Sequence, residues 1–109
     1  MIEFGNIVLV PFPYTDRTLA KRRPALIVSS GRYSRTDFIV CYITSQNKPY
    51  AGRIAVAPAT ENGLKVPSWI CFDKIETLHK SLILGKLGQL DHTILHTNSA
   101  LFFAAFGFK

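Results

Sequence analysis

Two short polar blocks of the chain carry side chains that can bind a phosphate group. Residues 21–24 (KRRP) precede one apolar run, and residues 43–46 (ITSQ) end another. If the two runs pair antiparallel, the start of one lies beside the end of the other, which makes Arg23 and Thr44 neighbours. A guanidinium beside a hydroxyl is a phosphate-binding pair, because arginine offers a rigid planar fork to phosphate oxygens.

The spacing of these blocks also has a plainer interpretation. Arg23 forms a surface salt bridge in that interpretation, and Thr44 merely ends a strand. Pro24 removes a backbone donor and fixes the chain where a loop enters the sheet, whichever interpretation holds. Spacing alone favours the plainer one.

The charge of the chain is concentrated around the two blocks. The chain has 13 Lys and Arg residues against 7 Asp and Glu, a net charge of +6. Residues 17–53 hold eight basic side chains and one acid, a local balance of +7, whereas the remainder sums to −1. Such a field predicts an anionic partner, which is a nucleic acid, an acidic protein segment or an anionic lipid surface. The alternative is a solvated basic face kept for solubility.

Other kinds of chemistry have weaker support in the sequence. It contains no Gly-rich phosphate loop, HExxH motif, paired Cys-x-x-Cys or nucleophile elbow. His92 and His96 stand four residues apart, a spacing that can chelate a metal, but no third ligand follows at a suitable distance, so a solvent-facing pair is expected. His79 is expected at the surface, and Trp69 in the core or an interface. No metal and no cofactor are expected.

The two cysteines and the terminal residues of the chain predict where in the cell the protein is located. Cys41 and Cys71 lie inside apolar runs rather than at framework spacings, which predicts buried reduced thiols. The first residues lack a basic region, and their apolar run ends at Pro11 and Pro13, so no signal peptide is expected. The C-terminal apolar stretch is far shorter than a membrane span. A cytoplasmic protein is the expectation.

The 109 residues leave room for one domain, residues 1–109, and their 48% hydrophobic content suffices for a core. Asp91 is a good N-cap, and apolar residues recur after it at three- and four-residue steps, which predicts one C-terminal amphipathic helix packed on a sheet. Gly85 and Gly88 predict a bend or bulge in the last strand, and residues 13–23 read as a long exposed loop. The fold is therefore mainly β, a small barrel or sandwich, with strands predicted at 6–12, 25–29, 37–44, 53–57, 69–78 and 82–90.

Five ordered blocks of the sequence resemble the MazF/PemK family of bacterial type II toxins. They cover nearly the whole chain, roughly residues 4 to 105. The blocks are GNIVLVPFPYTD at 5–16, KRRPALIVS at 21–29, ITSQ at 43–46, DKIETL at 73–78 and GKLGQL at 85–90.

The resemblance implies a small SH3-like barrel of about six short antiparallel strands with a C-terminal α-helix. It further implies a homodimer that cleaves single-stranded RNA at short sequences without a metal and is blocked by an antitoxin encoded beside it. The family's two cleavage residues fall on Arg23 and Thr44. Cleavage without a metal uses the ribose 2′-hydroxyl as nucleophile and gives a 2′,3′-cyclic phosphate and a 5′-hydroxyl.

The cleavage reaction also needs proton transfer and RNA contacts. An arginine stays protonated below about pH 12 and makes a poor base, so Asp16, Ser45 or a shifted arginine are the candidates for proton transfer. The basic residues of the exposed loop are expected to steer RNA by charge, and the polar residues after Thr44 to contact it. The expected RNA-binding residues are Arg17, Lys21, Arg22, Ser45 and Gln46.

Two other classes of function remain open. CcdB-like proteins share the fold but poison DNA gyrase through an aromatic C-terminal tail, which Phe106-Gly107-Phe108 loosely matches. The third class is a barrel that only binds RNA or an acidic peptide. The Arg-Pro and Ile-Thr-Ser-Gln steps favour the nuclease. Five apolar residues near the C-terminus exceed what one helix face buries, which also predicts a dimer: Leu101, Phe102, Phe103, Phe106 and Phe108.

Overall fold

The computed structural model describes residues 2–12, 21–32, 34–46 and 53–108. Its strands are β1 (Asn6–Phe12), β2 (Lys21–Ile27), β3 (Asp37–Thr44), β4 (Arg53–Val56), β5 (Ser68–His79) and β6 (Gly85–Gln89). They form one antiparallel sheet in the order β4-β5-β3-β2-β1-β6. The sheet curls into a half-barrel, which confirms the predicted mainly-β fold of six antiparallel strands.

Apolar side chains are buried on both faces of this sheet, because successive residues of a strand point to opposite sides. On β1, Ile7 faces one side and Val8 the other, and both are fully buried. The first side, called here the helix face, carries Ile7, Leu26, Cys41, Ile43, Ile70 and Phe72. The other side, called the second face, carries Val8, Val10, Ala25, Ile27, Val40 and Leu78.

Two short helices cover the helix face. The Asp91 carboxylate caps α1 (His92–Thr97) by accepting a hydrogen bond of 2.9 Å from the Thr93 backbone N–H, as the sequence predicts. The Phe102 ring of α2 (Ser99–Ala105) packs edge-on against Phe72, with ring centroids 5.4 Å apart. The predicted packing of the C-terminal region on the sheet is thus confirmed.

The prediction of a single C-terminal helix is wrong, because the chain turns at Asn98. Its backbone N–H bonds to the Ile94 carbonyl, and its side-chain amide donates to the same oxygen at 2.9 Å. This local bonding ends α1 and lets α2 start in a new direction.

Two predicted strands begin three or four residues away from where the structure has them, whereas the other boundaries agree within two residues. β2 begins at Lys21 rather than Ala25, because β1 continues to Phe12 and pairs with it along its whole length. Pro24 therefore lies within a strand and not at a loop entrance. β6 begins at Gly85 rather than at residue 82, because residues 80–82 form a 3₁₀ turn capped by the exposed His79 ring, which accepts from the Ser81 backbone N–H at 3.1 Å.

A glycine pair joins β6 to the loop that precedes β5. A Cβ atom on Gly63 would lie 2.2 Å from the Leu87 carbonyl oxygen, and one on Gly88 would lie 2.2 Å from the Glu61 carbonyl oxygen. The close approach lets the Gln89 backbone N–H donate to the Glu61 carbonyl at 2.8 Å. The predicted bulge is also confirmed, since the β1–β6 register shifts between Lys86 and Gly88.

Replacement of Gly88 by alanine is expected to destabilise the fold. The added Cβ meets backbone atoms on the opposite segment, which cannot move as a flexible side chain does. Overpacking of this kind typically costs about 1–3 kcal/mol, so the melting temperature of Gly88→Ala should fall by several degrees in a thermal scan.

Gly85→Ala is the matched control for this prediction. Gly85 lies in the same strand, and a Cβ placed on it has no heavy atom within 4 Å apart from its own chain neighbours. Its melting temperature should stay near that of the wild type. Equal decreases in the melting temperature of both variants would show that the close approach at Gly88 is not the cause of the destabilisation.

Candidate functional site

The start of β2 and the end of β3 lie side by side, as the sequence predicts. The two strands pair antiparallel with Ala25 opposite Tyr42. The ladder ends at this pair, and the same register extended by two residues brings Arg23 opposite Thr44. Both alternate with helix-face residues, so both belong to the second face.

A cleft of about 430 Å³ opens at this end of the sheet. Arg23 and Thr44 line it, together with the exposed Ser45 and Gln46 that follow Thr44. Its remaining walls come from β1, from β6 and from the segment before β5. They include Leu9, Leu87, Gly63, Leu64, Lys65, Val66 and Ser68.

Arg23 is half-buried at the side of this cleft. Its Nε atom is buried and has no hydrogen-bond partner among the described residues. A buried guanidinium nitrogen ordinarily finds an acceptor, since an unmet donor is costly. The arrangement suits an anion that enters the cleft and accepts from Arg23.

Thr44 is 8% exposed, and its hydroxyl fixes the turn that follows β3. The Gln46 backbone N–H donates to Thr44 Oγ1 at 3.1 Å. That bond uses a lone pair of the hydroxyl and leaves its proton free to be donated. It also positions Ser45 and Gln46 at the rim of the cleft.

The structure separates the other predicted cations. Lys21 is exposed and two residues from Arg23, so it lies on the same face. Arg22 is exposed on the opposite face and does not line the cleft. The prediction that these residues share one loop is wrong for Lys21 and Arg22, which belong to β2. Arg17 and Asp16 lie outside the described residues.

Sequence reasoning missed the wall formed by residues 63–68 and Leu87. The sequence does contain one local signal for a turn before this wall, the pair Asn62-Gly63. In the structure Gly63 has a positive φ of 71°. Asn62 is buried, and its side-chain oxygen accepts from the backbone N–H groups of Ala59 and Leu64. This turn directs the following segment toward the cleft.

The two cysteines are buried free thiols, as predicted. The pKa of the Cys41 thiol is raised to about 12, mostly by removal from water and further by the nearby Cys71 and Asp73. Burial also raises the pKa of Cys71, although the neighbouring Arg53 guanidinium opposes that shift. Both thiols stay protonated near neutral pH and are poor nucleophiles.

His92 and His96 are both exposed on α1, as expected of a solvent-facing pair. Within the described residues, no three His, Cys, Asp or Glu side chains gather into a group able to hold a metal ion. No helix in the described ranges is long and apolar enough to cross a membrane.

Solved structures share this fold. The Mycobacterium tuberculosis toxin MazF-mt6 superimposes with a TM-score of 0.78 at 23% identity, covering 95% of this chain and 98% of its own. A MazE-MazF structure from Deinococcus radiodurans gives 0.78 at 22% identity, covering 99% and 98%. An endoribonuclease solved with its cognate antitoxin from a mycobacterial species gives 0.78 at 20% identity, covering 100% and 98%.

Sequence comparison is more specific than these structural matches. A probable endoribonuclease MazF from Mycolicibacterium smegmatis is 31% identical over 84 residues, which span 74% of this chain and 77% of that protein. The family model described as PemK-like, MazF-like toxin of type II toxin-antitoxin system matches residues 3–100. All six strands and α1 lie inside that match, and the chain belongs to the PemK-like, MazF-like toxin family.

Proposed function

We propose that the protein is the toxin of a type II pair and acts as a metal-independent, sequence-specific endoribonuclease on single-stranded RNA. The observation that carries the proposal is the placement of Arg23 and Thr44 at one cleft by the β2–β3 register. Family membership supports it, because the M. smegmatis relative is named a probable endoribonuclease.

Cleavage in this proposal proceeds by transesterification. The ribose 2′-oxygen attacks the phosphorus, its proton passes to a base, and the bond from phosphorus to the 5′-oxygen breaks as that oxygen gains a proton. The products are a 2′,3′-cyclic phosphate and a 5′-hydroxyl. Extra negative charge builds up on the phosphoryl oxygens in the transition state, where fixed donors stabilise it.

Arg23 and Thr44 supply such donors. The Arg23 guanidinium carries a fixed charge and the buried Nε–H described above. The Thr44 hydroxyl is held by the Gln46 backbone and keeps its own proton for a phosphoryl oxygen. Asp16 and Ser45 remain the candidates for proton transfer.

RNA approaches through the charged and polar residues around the cleft. Ser45 and Gln46 present hydroxyl and amide groups at the rim, where base edges and riboses can be contacted. Lys21 and Arg17 attract phosphates by charge. Arg22 serves the same purpose from the other face, where it acts at longer range.

The proposed assembly is a cytoplasmic homodimer that a cognate antitoxin inhibits. Three aromatic side chains near the C-terminus remain exposed, with Phe103 at 48%, Phe106 at 49% and Phe108 at 76%. An acidic antitoxin segment that orders on the basic residues 17–53 would compete with RNA. An endoribonuclease with this fold has been solved with its cognate antitoxin.

The first expected outcome concerns the two proposed catalytic residues. Removal of one charge-stabilising donor typically lowers the rate about 10²- to 10³-fold, so Arg23→Ala and Thr44→Ala should each lose at least that factor. The measurement is single-turnover cleavage of a defined single-stranded RNA in the presence of EDTA. Thr44→Ser keeps the hydroxyl and should retain most activity.

Arg32→Ala is the control of the same residue type. Arg32 is exposed in the β2–β3 loop, at the opposite end of the sheet from the cleft. It should cleave at the wild-type rate. A protein that binds RNA but never cuts it would support the binding-only alternative, and inhibition of gyrase without RNA cleavage would support the CcdB-like one.

The second expected outcome concerns steering by charge. Lys21→Ala should weaken the binding of all single-stranded RNA sequences alike, since a phosphate contact carries no base information. The slope of log affinity against log salt should flatten by about 0.7, the value for one phosphate contact on a single strand. A loss confined to one sequence would contradict a purely electrostatic role.

The third expected outcome concerns assembly. Light scattering at micromolar concentration should give the mass of two chains, because exposed aromatic side chains favour a partner surface. Phe106→Ser combined with Phe108→Ser should shift the mass toward one chain. A monomeric wild type at that concentration would rule out the dimer.

A further inference from the structure

Trp69 is the single tryptophan of the chain, and it lies beside the proposed catalytic pair. In the β3–β5 ladder it is directly opposite Thr44. Cβ atoms of directly opposed antiparallel residues are about 4.5–5.5 Å apart on the same face. The order across the second face is therefore Arg23, Thr44 and then Trp69.

The surroundings of Trp69 do not make it a core residue. It is half-buried, and neither hydrophobic cluster of the described chain includes it. Its chain neighbour Ile70 is 1% exposed and points into the helix-face core, so Trp69 points the other way. Of the two places predicted for Trp69, the core is wrong, and an interface stays a prediction.

The residue opposite Trp69 on the neighbouring strand β4 is small. Ala55 on β4 is opposite Trp69 in the β4–β5 ladder, and it is exposed. A methyl group at this position covers less of the Trp69 side chain than a larger residue would.

Next to Trp69 on the second face lie a further aromatic residue, Tyr42, and a further cation, Arg53. Tyr42 is opposite Cys71, which in turn is opposite Arg53. Tyr42 and Arg53 are each diagonal to Trp69, within reach of long side chains. The surface thus combines cations with aromatic rings, the composition with which proteins bind single-stranded nucleic acids.

We propose that Trp69 is a stacking platform for the base of a nucleotide adjacent to the phosphate held by Arg23 and Thr44. The inference rests on the proposed function, because it takes RNA as the ligand of the cleft. Trp69 does not line the cleft itself, but its chain neighbour Ser68 and its cross-strand partner Thr44 do, so the stacked base lies beside the cleft. Stacking on an indole requires only a planar base, so Trp69 positions the strand and tolerates different bases. It is a positioning residue in this proposal and takes no part in proton transfer.

The single tryptophan allows a direct binding test. The probe is a short single-stranded RNA of mixed sequence with 2′-O-methyl riboses, which lacks the free nucleophile and cannot be cut. Titration should quench the Trp69 emission in the wild type and in Arg23→Ala, although the latter needs more oligonucleotide. Absence of quenching despite binding, measured by anisotropy of a labelled strand, would overturn the inference.

Two substitutions separate stacking from folding. Trp69→Leu should weaken binding on the order of 10- to 100-fold, the usual effect of losing one stacked base, whereas Trp69→Phe keeps an aromatic ring and should lose only a few-fold. Phe4→Leu is the control, since Phe4 is an exposed aromatic next to α1. It should bind as the wild type does. Equal weakening by Trp69→Phe and Trp69→Leu would count against stacking.

Oligonucleotides with one abasic position identify the stacked base. For the wild type, one position should weaken binding by the same factor as Trp69→Leu. At that position the variant should lose nothing further, since the ring is already missing. If the abasic effect and the Trp69→Leu effect simply add at every position, the inference is wrong.

The same assays keep this inference apart from the proposed function. Quenching without cleavage of unmodified RNA would contradict the nuclease function and support stacking on Trp69. Cleavage without quenching would support the nuclease function and contradict stacking. A change in Trp69 emission on dilution of the protein alone would place the ring in a subunit contact and overturn the platform.

Discussion

The antiparallel register between β2 and β3 is the constraint on which the site depends. With Ala25 opposite Tyr42, the same register extended by two residues brings Arg23 beside Thr44, and both line the cleft. A shift by one residue would move every side chain of a strand to the other face. That shift is prevented because Ala25, Ile27 and Val40 are fully buried on one face, while Leu26 and Cys41 are fully buried on the other. The packing of ordinary apolar residues thus holds the proposed catalytic pair together.

Because side chains alternate along each strand, the two faces of the sheet have different roles. The helix face is covered by α1 and α2, and Phe72 meets Phe102 there. The second face carries its apolar core at one end and the polar residues Arg23 and Thr44 at the other. A single strand such as β2 therefore contributes to the core and to the site within seven residues.

Those parts of the structure that depend on local pattern could be predicted from the sequence. β1 and β3 begin and end where predicted, because β-branched runs bounded by polar residues specify strands. The cap at Asp91 followed from its position before an apolar repeat. The β2–β3 pairing, and with it the neighbourhood of Arg23 and Thr44, followed from adjacency of the two strands. The roles of those two residues stay predictions.

What could not be predicted depends on contacts between distant segments. Lys21 and Arg22 are poor strand formers, and only the pairing with β1 makes them strand residues. The cleft wall at Gly63 exists because β6 passes close enough to exclude a Cβ atom. Tryptophan is a residue type typical of the core, and only the β3–β5 pairing shows that Trp69 lies opposite Thr44.

The pairing of the first strand with the last one has a consequence for synthesis of the protein. β1 lies between β2 and β6, and β6 supplies Leu87 to the cleft. Contacts between such distant parts of a chain form late, since the loop between them must close first. On the ribosome, β2 and β3 can pair early, but the cleft lacks a wall until residues 85–89 have left the exit tunnel. A nascent chain therefore has no finished site until β6 is free to pair with β1.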